Sequence, residues 1–150
     1  MMTLMEKHKH LVLIADDEKN FREILGIELK AFGFQVIEAE NGKEVLEKLE
    51  DIKPELVVLD VNMPVMDGAQ TFMEIKSKPE FADLKIMFLT NYGEPQEEFK
   101  GIDKEMAKKF GAVNYLNKKD DLNVLVEEIE KTLHETGGGS ASAVPPRPEA

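Results

Sequence analysis

The stretch that decides the fold reads Leu56-Val57-Val58-Leu59-Asp60-Val61-Asn62-Met63-Pro64. The unbroken apolar run predicts a strand that is buried on both faces, as in a parallel sheet. Asp60 stands at the carboxyl end of this strand, and a loop follows, because Asn62 and Pro64 are turn residues. Burying a charged acid is costly unless the charge is paired, so this acid needs a functional reason. The stretch therefore predicts a central strand that ends in a candidate nucleophile, Asp60.

Strand and helix patterns alternate on both sides of this stretch. Apolar runs at 11–15 and 86–89 predict two further buried strands, and the mixed stretches at 34–39 and 113–116 predict an edge strand and a short fifth strand. Between the strands, apolar residues recur at helical spacing. The positions expected to face inwards are Phe21, Ile24, Leu25, Leu29, Phe32, Val45, Leu46, Leu49, Ala69, Phe72, Met73, Ile75, Phe99, Ile102, Met106, Phe110, Leu122, Leu125, Val126, Ile129 and Leu133. The alternation predicts an α/β fold, a doubly wound five-stranded parallel sheet with helices on both faces.

Polar residues follow the predicted strands at the edge where such sheets bind ligands. They are Asp16, Asp17, Asp60, Thr90 and Lys118. Close carboxylates repel by about 1–4 kcal/mol per pair, and a divalent cation removes that repulsion. Oxygen ligands without His or Cys favour Mg²⁺. An aspartate can attack phosphorus, while a lysine and a hydroxyl can hold the phosphoryl oxygens. The set predicts phosphoryl-transfer chemistry with Mg²⁺.

In combination, these motifs resemble the receiver domain of bacterial two-component response regulators, the CheY-like family. The resemblance covers 11–133, and its motifs are Asp16-Asp17, Asp60-Val61-Asn62-Met63-Pro64-Val65-Met66-Asp67-Gly68, Leu89-Thr90, Gly111-Ala112 and Tyr115-Leu116-Asn117-Lys118. The family implies the strand order 2-1-3-4-5. This is the flavodoxin-like arrangement of doubly wound sheets, and the family's chemotaxis member is a standard example of it.

The resemblance also implies roles for individual residues. Asp60 corresponds to the phosphoacceptor and to a metal ligand. Asp17 corresponds to the direct Mg²⁺ ligand, Asp16 assists, and the backbone carbonyl of Asn62 is the third protein ligand.

Three further residues correspond to the family's phosphoryl contacts and switch. Thr90 and Lys118 match the hydroxyl and the amine that contact the phosphoryl group. Tyr115 matches the aromatic residue whose rotation is coupled to Thr90 on activation.

The chain departs from the family pattern at three places. Lys119 stands where a proline with a cis bond is usual, and a cis bond before another residue costs about 2.5–4 kcal/mol. Asn91 stands where a small residue such as alanine is usual, and the stretch 92–103 looks longer than usual. We therefore expect different local geometry at Lys118 and a changed access path to Asp60.

Composition sets the expected organisation and partners of the 150-residue chain. We expect a disordered lead at 1–9, the receiver domain at 10–135 and a flexible Gly/Ser/Pro tail at 136–150. A net charge of −11 argues against direct nucleic-acid binding, and no apolar run is long enough for a membrane span. The expected protein is a cytoplasmic monomer or weak dimer. Its expected partners are a sensor histidine kinase or phosphotransfer protein and an effector protein that the sequence does not identify.

Two other functions remain open from the sequence. One is an aspartate-nucleophile phosphatase of the haloacid-dehalogenase type, although those enzymes usually carry a second acid where this chain has Asn62. The other is a receiver-like binding module that works without phosphorylation, which the departures Lys119 and Asn91 keep open. The favoured interpretation is a single-domain response regulator. It would be no enzyme, beyond assisting its own phosphorylation and dephosphorylation.

Overall fold

The computed structural model describes residues 10–91 and 112–143, with side chains for 10–91 and 114–134. Within these ranges the strands are β1 Leu11–Ala15, β2 Gln35–Ala39, β3 Leu56–Asp60, β4 Lys85–Thr90 and β5 Ala112–Asn117. They form one parallel sheet in the order β2-β1-β3-β4-β5. The predicted α/β class and strand order are confirmed. Because all strands run in one direction, their carboxyl ends lie at one edge of the sheet.

Helices connect the strands, as the alternating pattern predicted. In the described residues they are α1 Lys19–Ala31, α2 Gly42–Leu49, α3 Gly68–Lys76, a 3₁₀ turn Pro79–Phe81 and α4 Leu122–Ala143. Asn41 caps α2 by accepting from the amide of Glu44 at 3.0 Å, and Asp67 caps α3 by accepting from Gln70 at 2.8 Å. The helix predicted around Phe99, Ile102, Met106 and Phe110 lies outside the described residues.

The two faces of the sheet carry two separate cores. Alternate strand residues point to opposite faces, so Val57 and Leu59 pack towards α2 and α3, while Val58 and Met87 pack towards α1 and α4. Every residue of β3 is buried. Full burial contributes roughly 1.5–3 kcal/mol for each large apolar side chain. The sheet is therefore a firmly packed platform for the residues at its edge.

Three residues predicted to face inwards are exposed instead. Ile24, Phe32 and Met73 are 51%, 42% and 54% exposed. The buried face of α1 consists of Arg22, Leu25, Gly26 and Leu29. A helix buries only a stripe of its circumference, and on α1 an arginine occupies a position in that stripe. The sequence analysis took the apolar residues as the buried face of the helix. The predicted face is therefore rotated slightly about the helix axis relative to the observed one.

The last helix continues past residue 135, where the sequence analysis placed the end of the domain because the tail that follows lacks core-forming residues. The helix α4 runs to Ala143 and includes Gly137, Gly138 and Gly139, whereas the domain boundary itself stays a prediction. A helix that is already nucleated gains a hydrogen bond for each added residue, and this opposes the glycine cost of about 1 kcal/mol each. None of the described helices combines the length and apolar character that crossing a membrane requires.

Candidate functional site

The residues predicted at the carboxyl edge of the sheet do come together. Asp16 follows β1, Asp60 ends β3, Thr90 ends β4 and Lys118 follows β5. Asp16, Asp60 and Thr90 are buried, and the side chain of Lys118 is 5% exposed. Asp17 is exposed to solvent. The site is a buried acidic and basic cluster that opens to solvent at Asp17.

The three aspartates form a compact group of carboxylates. One oxygen from each of Asp16, Asp17 and Asp60 lies within 4.8 Å of the others. Burial, with the negative charge of Asp16 next in importance, raises the pKa of Asp60 from 3.8 to about 8. Burial also raises the pKa of Asp16. These shifts show that one lysine does not fully compensate the buried negative charge.

This donor set fits a divalent cation. The buried Oδ2 atom of Asp16 has Lys118 Nζ as its ion-pair partner at 2.9 Å, and this one cation faces three clustered carboxylates. Hard cations such as Mg²⁺ prefer carboxylate oxygens at this kind of spacing and retain several waters. The three carboxylates therefore match a divalent cation in their charge, in their ligand type and in their arrangement.

Lys118 contacts three carboxylates and one aromatic side chain. Its Nζ lies 2.9 Å from Oδ2 of Asp16 and 3.7 Å from Oδ2 of Asp60, and it pairs with the carboxylate of Glu18. The ring centroid of Phe21 is 4.8 Å from Nζ. Burial alone would lower the pKa of Lys118, but its hydrogen bonds with Glu18 and Asp16 outweigh burial and raise it. Lys118 is therefore protonated at neutral pH.

The loop around Lys118 is fastened by backbone bonds. The amide of Lys118 donates to the carbonyl of Thr90 at 2.8 Å. The amide of Lys119 donates to Oδ1 of Asn117 at 2.9 Å, a bond that a proline could not make because it has no N–H. The described peptide bonds are all trans. Lys119 thus contributes its amide to a hydrogen-bonded turn next to Lys118.

The loop after β3 keeps close contact with Asp60. The amide of Asn62 donates to Oδ1 of Asp60 at 3.4 Å, and the amide of Gly68 donates to the carbonyl of Val61 at 2.9 Å. Val65 adopts φ 71°, a conformation that costs a β-branched residue of order 1–3 kcal/mol. This loop is held in a strained shape beside the candidate nucleophile.

Tyr115 and Thr90 lie on neighbouring strands. In the β4–β5 register Tyr115 is paired with Phe88, and Thr90 is paired with Asn117. The half-buried Tyr115 ring stacks on Phe88 with 5.4 Å between centroids and 23° between planes. Tyr115 therefore lies opposite the residue two positions before Thr90, on the neighbouring strand.

The sequence analysis missed two residues of the site. Arg22 is buried on α1, where Nη1 donates to the carbonyl of Asp16 at 2.7 Å and Nε donates to Oε1 of Glu38 at 2.8 Å. Its spacing of three and seven residues from Leu25 and Leu29 was the available signal. Glu18, the partner of Lys118, gave no signal because the two are far apart in sequence.

Comparison with known proteins adds a family assignment to this geometry. The family model for the response regulator receiver domain matches residues 12–130. The phosphate regulon transcriptional regulatory protein PhoB of Pseudomonas aeruginosa is 30% identical over 132 residues, which are 88% of this chain and 55% of that protein. The chemotaxis protein CheV3 of Helicobacter pylori is 33% identical over 141 residues, which are 87% and 43%. The chain spans about half the length of the curated relatives it matches.

Solved structures show the same architecture. The chemotaxis response regulator CheY4 of Vibrio cholerae superposes with a TM-score of 0.72 at 26% identity, covering 82% of this chain and 98% of that one. The response regulator TrrA of Thermotoga maritima, solved in complex with Mg²⁺ and BeF, gives a TM-score of 0.67 at 33% identity, covering 81% and 97%.

Proposed function

Because the chain belongs to the response regulator receiver domain family, we propose that it signals by accepting a phosphoryl group on Asp60. The observation that carries this proposal is the position of Asp60 at the end of the central strand, among Asp16, Asp17 and Lys118. Phosphoryl transfer requires positioning and charge neutralisation. A nucleophile, two further carboxylates and the buried ammonium group of Lys118 can provide both. The response is a changed contact with another protein.

The proposed reaction proceeds by direct displacement at phosphorus. A carboxylate oxygen of Asp60 attacks the phosphorus of a phosphohistidine, the new O–P bond forms, and the N–P bond breaks with its electron pair returning to the imidazole. The Nζ of Lys118 and the hydroxyl of Thr90 contact the phosphoryl oxygens. When Mg²⁺ is bound by Asp16, Asp17, Asp60 and the carbonyl of Asn62, it supplies positive charge for those oxygens. Loss of the group is attack by water, which returns the Asp60 carboxylate and phosphate.

The proposed switch connects the phosphoryl group to the surface of β5. Thr90 moves towards the phosphoryl group, and the Tyr115 ring turns inwards into the space that Thr90 leaves. The phosphoryl contacts shift a two-state equilibrium because they exist in only one of the states. The stacking of Tyr115 on Phe88 supports this, since it places the half-buried ring beside the strand that ends in Thr90.

The proposed partners follow from the reaction. The donor is a sensor histidine kinase or a phosphotransfer protein, and the output is an effector protein that recognises the phosphorylated state. The net charge of −11 favours protein partners over nucleic acid for this domain. We propose a cytoplasmic setting and a monomeric or weakly dimeric state.

The test is phosphorylation of the protein by acetyl phosphate with Mg²⁺, followed by intact mass. We expect one phosphoryl group on the wild type and none on Asp60→Asn, while the exposed-acid control Asp51→Asn labels like the wild type. Full labelling of Asp60→Asn would refute Asp60 as the acceptor. An unlabelled wild type would favour the phosphorylation-independent binding module, and sustained turnover of small phosphate esters would favour the phosphatase.

A further inference from the structure

Glu18 occupies the N-cap position of α1 without capping it. Its backbone is extended, and its side chain accepts no hydrogen bond from the first turn of the helix. The usual N-cap residues are Ser, Thr, Asp and Asn, whose short side chains reach the free amides of the first turn. The Glu18 carboxylate instead reaches across the site to Nζ of Lys118. The side chain is used for this contact and not for the helix.

Lys118 lies closer to Glu18 than to the nucleophile Asp60. Lys118 Nζ is in contact with Glu18 and 2.9 Å from Asp16, but it is 3.7 Å from Asp60, which is too far for a hydrogen bond. The side chain of Glu18 is 60% exposed, whereas that of Lys118 is 5% exposed. Glu18 therefore binds the amine from the solvent side of the site.

We propose that Glu18 is a positioning residue that holds Lys118 in the unphosphorylated protein and slows phosphorylation of Asp60. This inference rests on the proposed function of the site. Lys118 carries one ammonium group, and among the described residues the groups around it are Asp16, Glu18, Asp60 and the ring of Phe21. Nζ lies 3.7 Å from Asp60, so Lys118 moves towards Asp60 to reach a phosphoryl oxygen, and this movement weakens its contact with Glu18.

The proposal has a specific kinetic signature. During phosphorylation by acetyl phosphate, the Asp60 oxygen bonds to phosphorus, the bond from phosphorus to the acetate oxygen breaks, and acetate leaves. In this step Lys118 moves away from Glu18 and towards the phosphoryl oxygens, so Glu18 stabilises the starting state more than the transition state. During dephosphorylation Lys118 is on the phosphoryl group before and during attack by water. Removing Glu18 should therefore speed phosphorylation and leave dephosphorylation unchanged.

The kinetic test compares Glu18→Gln with wild type under acetyl phosphate and Mg²⁺. We expect phosphorylation to be about threefold to tenfold faster, the range for losing a competing charged contact, and decay to stay within about twofold. Glu23→Gln is the matched control, because it removes the same charge from an exposed ion pair with Lys19 on the same helix. Equal acceleration in both variants, or none in Glu18→Gln, would overturn the proposal.

A second variant separates the contact from the charge. Glu18→Asp keeps the negative charge, but aspartate is a preferred N-cap, so its shorter side chain should turn to the helix amides and release Lys118. We expect Glu18→Asp to be accelerated nearly as much as Glu18→Gln. If only Glu18→Gln were faster, Glu18 would act by repelling the anionic donor and the positioning role would be wrong.

Binding of beryllofluoride with Mg²⁺ provides a readout that needs no turnover. We expect Glu18→Gln to bind this phosphoryl mimic about threefold to tenfold more tightly than wild type, because Lys118 no longer has to move away from Glu18 to contact it. Unchanged affinity would overturn the proposal. A wild type that binds no mimic and takes no label would instead refute the proposed function itself, so the two failures are distinguishable.

Discussion

Gly68 and Asp60 are in direct backbone contact. A Cβ atom at position 68 would lie 2.4 Å from the carbonyl oxygen of Asp60 and 2.8 Å from Cα of Val61. The amide of Gly68 also donates to the carbonyl of Val61. The first residue of α3 therefore lies against the end of β3, and only a residue without a side chain fits there.

Gly68→Ala should destabilise the protein by about 1–3 kcal/mol, because backbone on both sides must shift to admit the methyl group. It should also slow phosphorylation, since the shift moves Asp60. Denaturant unfolding and acetyl phosphate labelling measure the two effects. Gly26→Ala is the matched control: its Cβ would have its nearest contact at 3.4 Å, and alanine favours a helix interior by about 1 kcal/mol. Equal stability of the two variants would contradict this explanation.

Asp17→Asn should abolish Mg²⁺-dependent phosphorylation without destabilising the metal-free protein. The charge of Asp17 contributes to raising the pKa of Asp60, so its removal relieves repulsion. We expect an unchanged or higher melting temperature without metal, and a loss of at least about tenfold in Mg²⁺ affinity by calorimetry. A marked fall in the melting temperature of the metal-free variant would show that Asp17 is a structural residue.

The raised pKa of Asp60 predicts how stability depends on pH. Between about pH 4 and 8 the folded metal-free protein binds a proton at Asp60 that the unfolded chain has lost. The stabilising contribution is fully present below about pH 4 and is lost as the pH rises through 8. The free energy of unfolding should fall across this window by up to about 1.4 kcal/mol per pH unit.

Denaturant unfolding at several pH values, with Mg²⁺ chelated, measures this slope. Asp60→Asn removes the titrating group, so its stability should fall less steeply than that of wild type. Saturating Mg²⁺ should also reduce the slope for wild type, because bound metal keeps the carboxylates ionised. Parallel pH profiles for wild type and Asp60→Asn would show that Asp60 does not take up the proton.

Asn91→Ala should shorten the lifetime of the phosphorylated state. Asn91 follows Thr90 directly and is bulkier than the alanine usual in the family, so we expect it to hinder both the donor and the attacking water. Phosphorylation by acetyl phosphate and decay should each be about threefold to tenfold faster, or roughly 0.7–1.4 kcal/mol in barrier height. Slower decay in the variant would mean that the Asn91 amide assists the water.

The sequence predicted those parts of the site that depend on strand ends. A buried strand has a short apolar pattern and a clear end. The sequence alone could therefore place Asp16, Asp60, Thr90 and Lys118 at the carboxyl edge of the sheet. What it could not predict depends on side chains that reach across the fold. Arg22 was not among the residues expected to face inwards, although it is buried and donates to the carbonyl of Asp16.

The exposed apolar residues were misplaced for a related reason. Helical periodicity shows which residues lie on the same face of a helix. A face that is centred one residue earlier or later fits nearly the same pattern. Met73 follows the buried Phe72 and is more than half exposed. Hydrophobicity alone could not show which of the two neighbouring helix faces is buried. Packing against the sheet determines it.

The contact between Glu18 and Lys118 spans 100 residues of sequence and requires β5 to be in place beside β4. Long-range contacts of this kind form late, because the chain entropy of closing the loop must be overcome first. A nascent chain that has reached only residue 91 contains every acid of the site and no Lys118. The complete site thus becomes available only when the sheet contains β5, and labelling by a phosphodonor during refolding would report the docking of β5.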